Sequence, residues 1–255
     1  MSRRVNFINN VLVMVFTLLS AFLLAYVCGN RFISRKSYEM VLWCVAGLII
    51  TSFVCTLCHE LGHVISAKKN GFVVLSFTAW FFKWTKKKKS YKFSFTNMNE
   101  AGGNTETVPT STDNLSKRLR KMTISGTLAV ILPCLIGIIP LLIEDISFIP
   151  FCLLSTFLPV GIYSILTNLL PMETLGYKND GALCLALKRE EDEAKVLISV
   201  LSIQAEMYNG KMPSKVDEKY YFSNPQIAED SPYFVMLLDA QYNYYLDKED
   251  YEKAK

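Results

Sequence analysis

Charged residues are missing from long parts of this sequence. Only 20% of its 255 residues are charged, whereas 51% are hydrophobic. Four stretches carry no charge at all: residues 5–29, 40–58, 122–143 and 146–172. A transmembrane helix needs about 20 apolar residues, so each stretch can cross a bilayer, and the first is too long for a secretory signal peptide. The pattern argues against an ordinary soluble domain and predicts a mainly α, polytopic membrane protein with four transmembrane helices.

Neither a disulfide framework nor a nucleic-acid site is indicated. The seven cysteines lie mostly inside or beside the apolar stretches, where cysteine acts as a small hydrophobic residue. The basic residues collect between the second and third stretches, with one run of four lysines at residues 86–89. Next to a membrane, such a run is typical of a solvated surface that attracts anionic lipid. We therefore expect the lipid bilayer as a partner, and no nucleic acid.

Lysine and arginine also predict the orientation, because short loops rich in these residues stay in the cytosol. The basic segment between the second and third stretches is expected there, and with it both termini. We therefore predict an integral membrane protein, placed in the plasma membrane of a bacterium. Arg31, Arg35 and Lys36 do not fit this orientation, because they fall in the loop that it puts outside.

Three regions are predicted along the chain. Residues 1–39 form the first transmembrane helix and a short loop, and residues 182–255 form a cytosolic helical region. The core lies between them, at residues 40–181. Its transmembrane segments are expected at about 40–67, 122–143 and 146–170, with kinks at the prolines of the last two: Pro133, Pro140, Pro150 and Pro159.

The segment 71–121 of the core is expected to hold a small cytosolic β element and a loop. Residues 72–82 are aromatic and β-branched, and residues 91–95 alternate between aromatic and polar side chains, which is typical of strands. Such a sheet could take up an extended substrate as an added strand. Residues 97–116 are polar and contain Gly102 and Gly103, which predicts a mobile loop that could act as a gate.

The C-terminal region, residues 182–255, is predicted to be a cytosolic helical region. Residues 182–208 are expected to form one amphipathic helix that ends at Gly210. Ser231 and Pro232 are expected to open a second helix that runs to about Leu246. A turn and another helix at residues 251–254 complete either part of a tetratricopeptide-like unit or an ordinary helical hairpin. We interpret it as a small helical cap or a docking surface for a protein partner, with an ordinary helical hairpin as the alternative.

Both histidines of the chain fall in one segment, at the end of the second apolar stretch: Cys58-His59-Glu60-Leu61-Gly62-His63. On a helix, residues four apart lie on the same face, so His59 and His63 can bind one metal ion, for which zinc is the natural choice. Glu60 lies beside this face and can take a proton from water during hydrolysis of a carbonyl compound. The pattern predicts a zinc hydrolase.

A rival motif overlaps this one. The segment Cys55-Thr56-Leu57-Cys58-His59 matches the pattern for covalent attachment of haem. That interpretation leaves Glu60 and His63 without a role. It also needs a haem crevice on the export side of the membrane, whereas the charge pattern puts this segment at the cytosolic end of a helix.

Two histidines leave zinc short of the three protein ligands that catalytic sites usually have. At about 1.5 Å per residue, His59 lies about 28 Å along the second span, near its cytosolic end. The fourth span reaches the same side near Asn168, so the next carboxylates, Glu173 and Asp180, are the candidates for the third ligand. Alternatively, Asp180 or Asn179 only caps the helix that follows.

Two groups of residues together resemble the site-2 protease family of intramembrane zinc metalloproteases. The first is His59-Glu60-Leu61-Gly62-His63, and the second is Asn168-Leu169-Leu170-Pro171 with the later Asp180-Gly181. The resemblance implies that His59, His63 and Asp180 bind zinc and that Glu60 is the catalytic base. It also implies that Asn168 holds substrate or the ligand loop.

The resemblance covers about residues 40–185 and has weaker parts. The segment Ala101-Gly102-Gly103-Asn104-Thr105 resembles a short sheet element of the family, which implies substrate contacts at Gly102 and Gly103. Ser125-Gly126-Thr127-Leu128-Ala129 resembles the small-residue entry to the middle span. The sequence departs from the family at Val130, where an asparagine is usual, and in the longer gap between Asn168 and Asp180.

The expected function is therefore hydrolysis of peptide bonds in membrane-embedded or membrane-adjacent substrates at the cytosolic side. A catalytically inactive homologue that acts as a membrane scaffold or interaction protein is the alternative, because fold and motif do not by themselves imply activity. A zinc transporter or sensor is disfavoured, since the other spans offer no polar residues in the register that a metal path requires.

Overall fold

The computed structural model describes residues 3–88, 90–97, 102–174 and 176–254, and most of them are helical. It contains four helical segments long and apolar enough to cross a membrane, as predicted. The helices that form them are α1 (Arg3–Arg31), α2 (Ser37–Lys69), α3 (Leu115–Ile136), α4 (Ile139–Leu142), α5 (Phe148–Ser155) and α6 (Phe157–Leu169).

The prolines explain why the third and fourth segments are each built from two helices. Pro140, Pro150 and Pro159 lie in the first turns of α4, α5 and α6, where a missing backbone N–H costs little. Pro133 lies inside α3, which ends one turn later, before Gly137. A Cβ at Gly137 would lie 2.2 Å from the Leu158 amide nitrogen, so this break lets two backbones touch.

A four-stranded antiparallel sheet follows α2. Its strands are β1 (Phe72–Trp80), β2 (Phe82–Lys87), β3 (Ser90–Phe95) and β4 (Gly102–Pro109), in the order β3-β2-β1-β4. The strands predicted from residues 72–82 and 91–95 are confirmed. The loop predicted over residues 97–116 is wrong for residues 102–109, which pair with β1 along its length, and for the start of α3 at Leu115. The rest of that predicted loop at residues 98–101, like Lys89 of the lysine run, lies outside the described residues.

The turn between β1 and β2 lies against the middle of α2. The Phe53 ring contacts the rings of Trp80, at 5.7 Å between centroids, and of Phe82, at 5.5 Å. Phe53 precedes His59 by about 9 Å along the helix axis, at about 1.5 Å per residue. The sheet therefore runs alongside α2 past the level of the histidines, with its β1–β2 turn beyond them.

Arg31 lies at the end of α1 and binds the end of another helix. Its guanidinium donates hydrogen bonds to the carbonyl oxygens of Pro140 and Ile143, both at 2.9 Å, and of Leu141 at 3.0 Å. The last carbonyls of a helix have no partner within it, and a cation there also interacts favourably with the helix dipole. This contact gives a structural role to Arg31, one of the three basic residues that do not fit the predicted orientation.

The C-terminal region begins with a small hairpin, followed by helices. Its elements are β5 (Glu173–Thr174), β6 (Tyr177–Lys178), α7 (Asp180–Arg189), α8 (Asp192–Tyr208), a 3-10 turn (Pro213–Lys215), α9 (Lys219–Phe222) and α10 (Pro232–Asp247). The helix predicted from Pro232 is confirmed. The single helix predicted over residues 182–208 is wrong, because Glu190 adopts a left-handed conformation with φ of 53° that separates α7 from α8.

The end of the chain also differs from the prediction. Residues 251–254 form a turn, so no second helix follows α10 in the part of the chain that the structure describes. The predicted helix pair, whether tetratricopeptide-like or ordinary, is therefore not formed there. Instead α10 packs against α8 and α9.

Candidate metal centre

The two histidines lie one turn apart on α2, and their side chains converge. The Nε2 atoms of His59 and His63 are 3.0 Å apart. The Nδ1 atom of His63 lies 2.9 Å from the backbone carbonyl oxygen of Met122. Because a carbonyl only accepts, Nδ1 of His63 carries the hydrogen and its Nε2 presents a lone pair toward His59. That is the tautomer that binds a metal through Nε2.

Asp180 meets the histidines from the other side, at the first residue of α7. Its Oδ2 atom lies 3.2 Å from Nε2 of both His59 and His63. Asn179 is the N-cap of α7, with its side-chain oxygen accepting the hydrogen bond of the Ala182 amide at 2.9 Å. The cap and the acidic side chain are therefore separate residues, and the Asp180 carboxylate is left to face the histidines.

Glu173, the other candidate ligand, does not join this group. Its Oε2 atom lies 4.0 Å from Nζ of Lys178. Among the described residues, one group of three His, Cys, Asp or Glu side chains has all its ligand atoms close enough to share an ion, and it consists of His59, His63 and Asp180.

The three converging atoms fit a zinc ion. Zinc binds histidine nitrogen and carboxylate oxygen at about 2.0–2.2 Å, and tetrahedral angles then separate two ligand atoms by about 3.3–3.6 Å, slightly more than in this arrangement. The observed separations are 3.0, 3.2 and 3.2 Å. The Oδ2 atom of Asp180 is buried and has no hydrogen-bond partner, which a cation at the centre of the triangle would correct. Three protein ligands also leave a fourth position, as catalytic zinc sites do.

The pKa of the Asp180 carboxyl group also suits a metal ligand. Burial alone would raise the pKa of its carboxyl group, but the imidazoles of His59 and His63 outweigh burial and hold the pKa below its ordinary value. Because the pKa lies below the ordinary value of 3.8, the carboxyl group is ionised at neutral pH. A carboxylate, not a carboxylic acid, is the form that binds a cation.

Glu60 is buried beside the triangle, and β4 holds its carboxylate. The Thr105 hydroxyl donates a hydrogen bond of 2.5 Å to Oε2 of Glu60. Gly103 leaves room for the other oxygen, since a Cβ at that position would lie 2.4 Å from Oε1. Glu60 itself is only 4% exposed. The absence of a side chain at Gly103 thus allows β4 to pass directly over the Glu60 carboxylate.

Gly126 of α3 gives the histidines their space. A Cβ at this position would lie 2.4 Å from Nε2 of His63 and 2.9 Å from Cε1 of His59. The resemblance drew attention to the small residues around Gly126, but the contact with both imidazoles was not predicted. Neither were the roles of Thr105 and the Met122 carbonyl, because no local pattern distinguishes them from other polar groups.

The triangle faces a cavity of about 460 Å³. Its walls include Glu60, Gly103 and Asn168. Asn168 donates a hydrogen bond of 2.9 Å to the Ser164 carbonyl of its own helix. Gly102 is not among the lining residues, and its φ of 147° with open space around it is consistent with a strand end. Val130, where an asparagine was expected, is fully buried in α3 and does not line the cavity.

The haem interpretation gains no support from this arrangement. Cys55 is only 2% exposed, which leaves its thiol closed to a haem vinyl group. His59, which would have to bind the haem iron, faces His63 and Asp180. Comparison of the chain with protein-family models, with curated proteins and with solved structures finds no match.

Proposed function

We propose that this chain is a zinc-dependent endopeptidase of the site-2 protease type, acting on membrane-embedded or membrane-adjacent peptide segments. One observation carries the proposal: two imidazole nitrogens and one carboxylate oxygen lie within 3.2 Å of one another, with Glu60 in the same cavity. A general base next to a three-ligand site with an open position is the arrangement of hydrolytic zinc enzymes.

Each group then has a chemical role. Zinc held by His59, His63 and Asp180 would act as a Lewis acid toward the substrate carbonyl and lower the pKa of water. Glu60 accepts a proton from the attacking water and returns it to the departing amine nitrogen. The Thr105 hydroxyl keeps one carboxylate oxygen of Glu60 fixed, and the other, Oε1, lies beside Gly103 in the cavity wall.

The sheet suggests how a substrate is held. Within the described residues β4 pairs with β1 on one side only, and Gly103 of β4 touches Glu60. A substrate segment that unwinds from a membrane helix could add to the free edge of β4, where its backbone bonds would place a peptide carbonyl near Glu60. This assigns substrate pairing to β4, whereas the sequence pointed to residues 72–96.

The proposal includes a location. Four apolar helices are compatible with a membrane protein. We propose that they cross the membrane with both termini in the cytosol, so that the histidines lie at the cytosolic end of α2. The plasma membrane of a bacterium remains the expected setting.

The decisive experiment separates zinc binding from cleavage. Zinc content is measured in the purified full chain and in the variants His63→Ala, Asp180→Ala and Glu173→Ala. We expect loss of zinc from the first two and full zinc content in the third, which is the matched carboxylate control. Glu60→Gln should retain zinc.

Cleavage is then followed by incubating each protein with a detergent extract of membrane proteins and counting new N termini by mass spectrometry. Wild type should generate new termini that Glu60→Gln does not. If the two proteins give the same termini, or if wild type binds no zinc, the proposed hydrolase is wrong. A zinc-loaded chain that cleaves nothing in this pool or in any tested peptide favours the scaffold alternative.

A further inference from the structure

Two asparagines near the start of α1 bind the backbone of the chain just beyond α6. Asn6 donates a hydrogen bond of 2.8 Å to the Glu173 carbonyl and accepts one of 3.0 Å from the Glu173 amide. Asn9 donates a hydrogen bond of 2.7 Å to the Pro171 carbonyl. A helix from the first part of the chain thus holds both ends of a three-residue segment more than 160 positions away.

That segment leads directly to the third metal ligand. The β5–β6 hairpin connects Glu173 to Asn179. The side chain of Asn179 then fixes the position of the backbone where α7 begins. Its Nδ2 atom donates to the carbonyls of Thr167, at 2.6 Å, and Leu170, at 2.7 Å, and its Oδ1 atom accepts from the Met172 amide at 3.0 Å. Asp180 follows as the next residue. Its position therefore depends on where residues 171–173 are held.

The sequence of α1 makes these contacts notable. Polar amides in an otherwise apolar helix are costly unless they are bonded, and in membrane proteins they commonly join one segment to another. Asn9 is 9% exposed, whereas Asn10 is exposed and, among the residues that the structure describes, its side chain donates to the Asn6 carbonyl of its own helix. The pairing of Asn6 with Glu173 satisfies both the donor and the acceptor of one amide, which fixes orientation as well as distance.

We propose that Asn6 and Asn9 are positioning residues for the metal centre: they hold residues 171–173 so that the Asp180 carboxylate stays at the histidines. The inference rests on the proposed zinc site. It gives α1, which supplies no ligand, a defined part in metal affinity.

The first test measures metal binding by the full chain in detergent. Zinc affinity is determined by competition with a chelator for wild type, Asn6→Ala, Asn9→Ala and the double variant, with Asn10→Ala as the matched control. Groups that orient a ligand typically contribute 10- to 100-fold to metal affinity, so we expect a loss in that range for the double variant and none for Asn10→Ala. With Co²⁺ in place of zinc, the visible spectrum of the double variant should also change, which loss of global stability alone would not cause.

The second test needs no metal. Hydrogen exchange of the Glu173 amide, which is bonded to Asn6, should be faster in Asn6→Ala and in the double variant and unchanged in Asn10→Ala. If the double variant does not fold, the two single variants carry both measurements.

The outcomes separate the two proposals. Wild type that binds no zinc refutes the metal site, while the exchange measurement still decides whether α1 holds residues 171–173. If wild type binds zinc and the double variant has the same zinc affinity and the same cobalt spectrum as wild type, the positioning role is overturned. Unchanged exchange at Glu173 overturns it equally.

Discussion

Replacing Gly126 by alanine adds one methyl group at the centre of the proposed zinc site. Built on the observed backbone, that carbon would lie 2.4 Å from Nε2 of His63 and 2.9 Å from Cε1 of His59. Two non-bonded heavy atoms are at their optimal separation at about 3.5–4.0 Å, so the His63 ring must move by about 1 Å or the helices must separate. Ligand distances in a working metal site vary by only about 0.2 Å. We expect a loss of zinc affinity of at least about 100-fold, by analogy with groups that merely orient ligands.

Helix propensity alone predicts the opposite effect on stability, because alanine is favoured over glycine inside a helix by about 1 kcal/mol. The clash with the two imidazoles opposes this gain even in the metal-free protein. The assay is zinc affinity by chelator competition together with thermal unfolding of the metal-free protein. Gly29→Ala in α1 is the control, because nothing lies within 4 Å of its added carbon. Zinc binding by Gly126→Ala as tight as that of wild type would refute the assignment of Nε2 as the ligand atom.

Three further predictions concern the base, the C-terminal helices and the sheet. Thr105→Val should retain zinc but lower the rate of cleavage by about tenfold or more, because a hydrogen bond to a charged group such as Glu60 contributes about 1.5–3 kcal/mol. An unchanged rate in a kinetic assay would show that this hydrogen bond is dispensable. Burial would raise the pKa of Glu193, but Lys178 and Ser231 hold it below the ordinary value of 4.5. The ionised Glu193 therefore stabilises the fold above that pH, and this stabilisation is lost as the pH falls below it. The melting temperature of wild type should thus fall more between about pH 6 and about pH 3 than that of Glu193→Gln. Parallel plots of melting temperature against pH for the two proteins would contradict this. The turn between β1 and β2 lies against the middle of α2, so we expect the sheet to reach into the membrane. In a variant that retains Trp84 as its only tryptophan, brominated lipids in nanodiscs should therefore quench its fluorescence, whereas a solvent-facing sheet would leave it unquenched.

The parts of the fold that the sequence predicted are those set by local periodicity. Uncharged stretches specify apolar helices, and a spacing of four places His59 and His63 on one helical face, whatever the rest of the chain does. The alternation at residues 91–95 predicted β3 for the same reason. In each case the information lies within a few turns or one strand.

The parts that could not be predicted depend on contacts between distant segments. The polar composition of β4 resembles a loop, and it is a strand because β1 supplies its partners. Asn179 and Asp180 are both suitable helix caps, and only the packing of α7 against α3 decides which one faces the histidines. Gly126 and Thr105 matter through the atoms that they approach, Nε2 of His63 and the Glu60 carboxylate, and neither approach leaves a trace in the nearby sequence.

The bond between Arg31 and the end of α4 bears on how topology is deduced from charge. The positive-inside rule counts each arginine near a membrane as evidence that its loop is cytosolic, since moving a free cation across the bilayer is unfavourable. Arg31 is not free, because three backbone oxygens already surround its guanidinium. An arginine whose donors are bound in this way should be left out of the count, and Arg31→Gln would then loosen the contact between α1 and α4 without reversing the orientation of the chain.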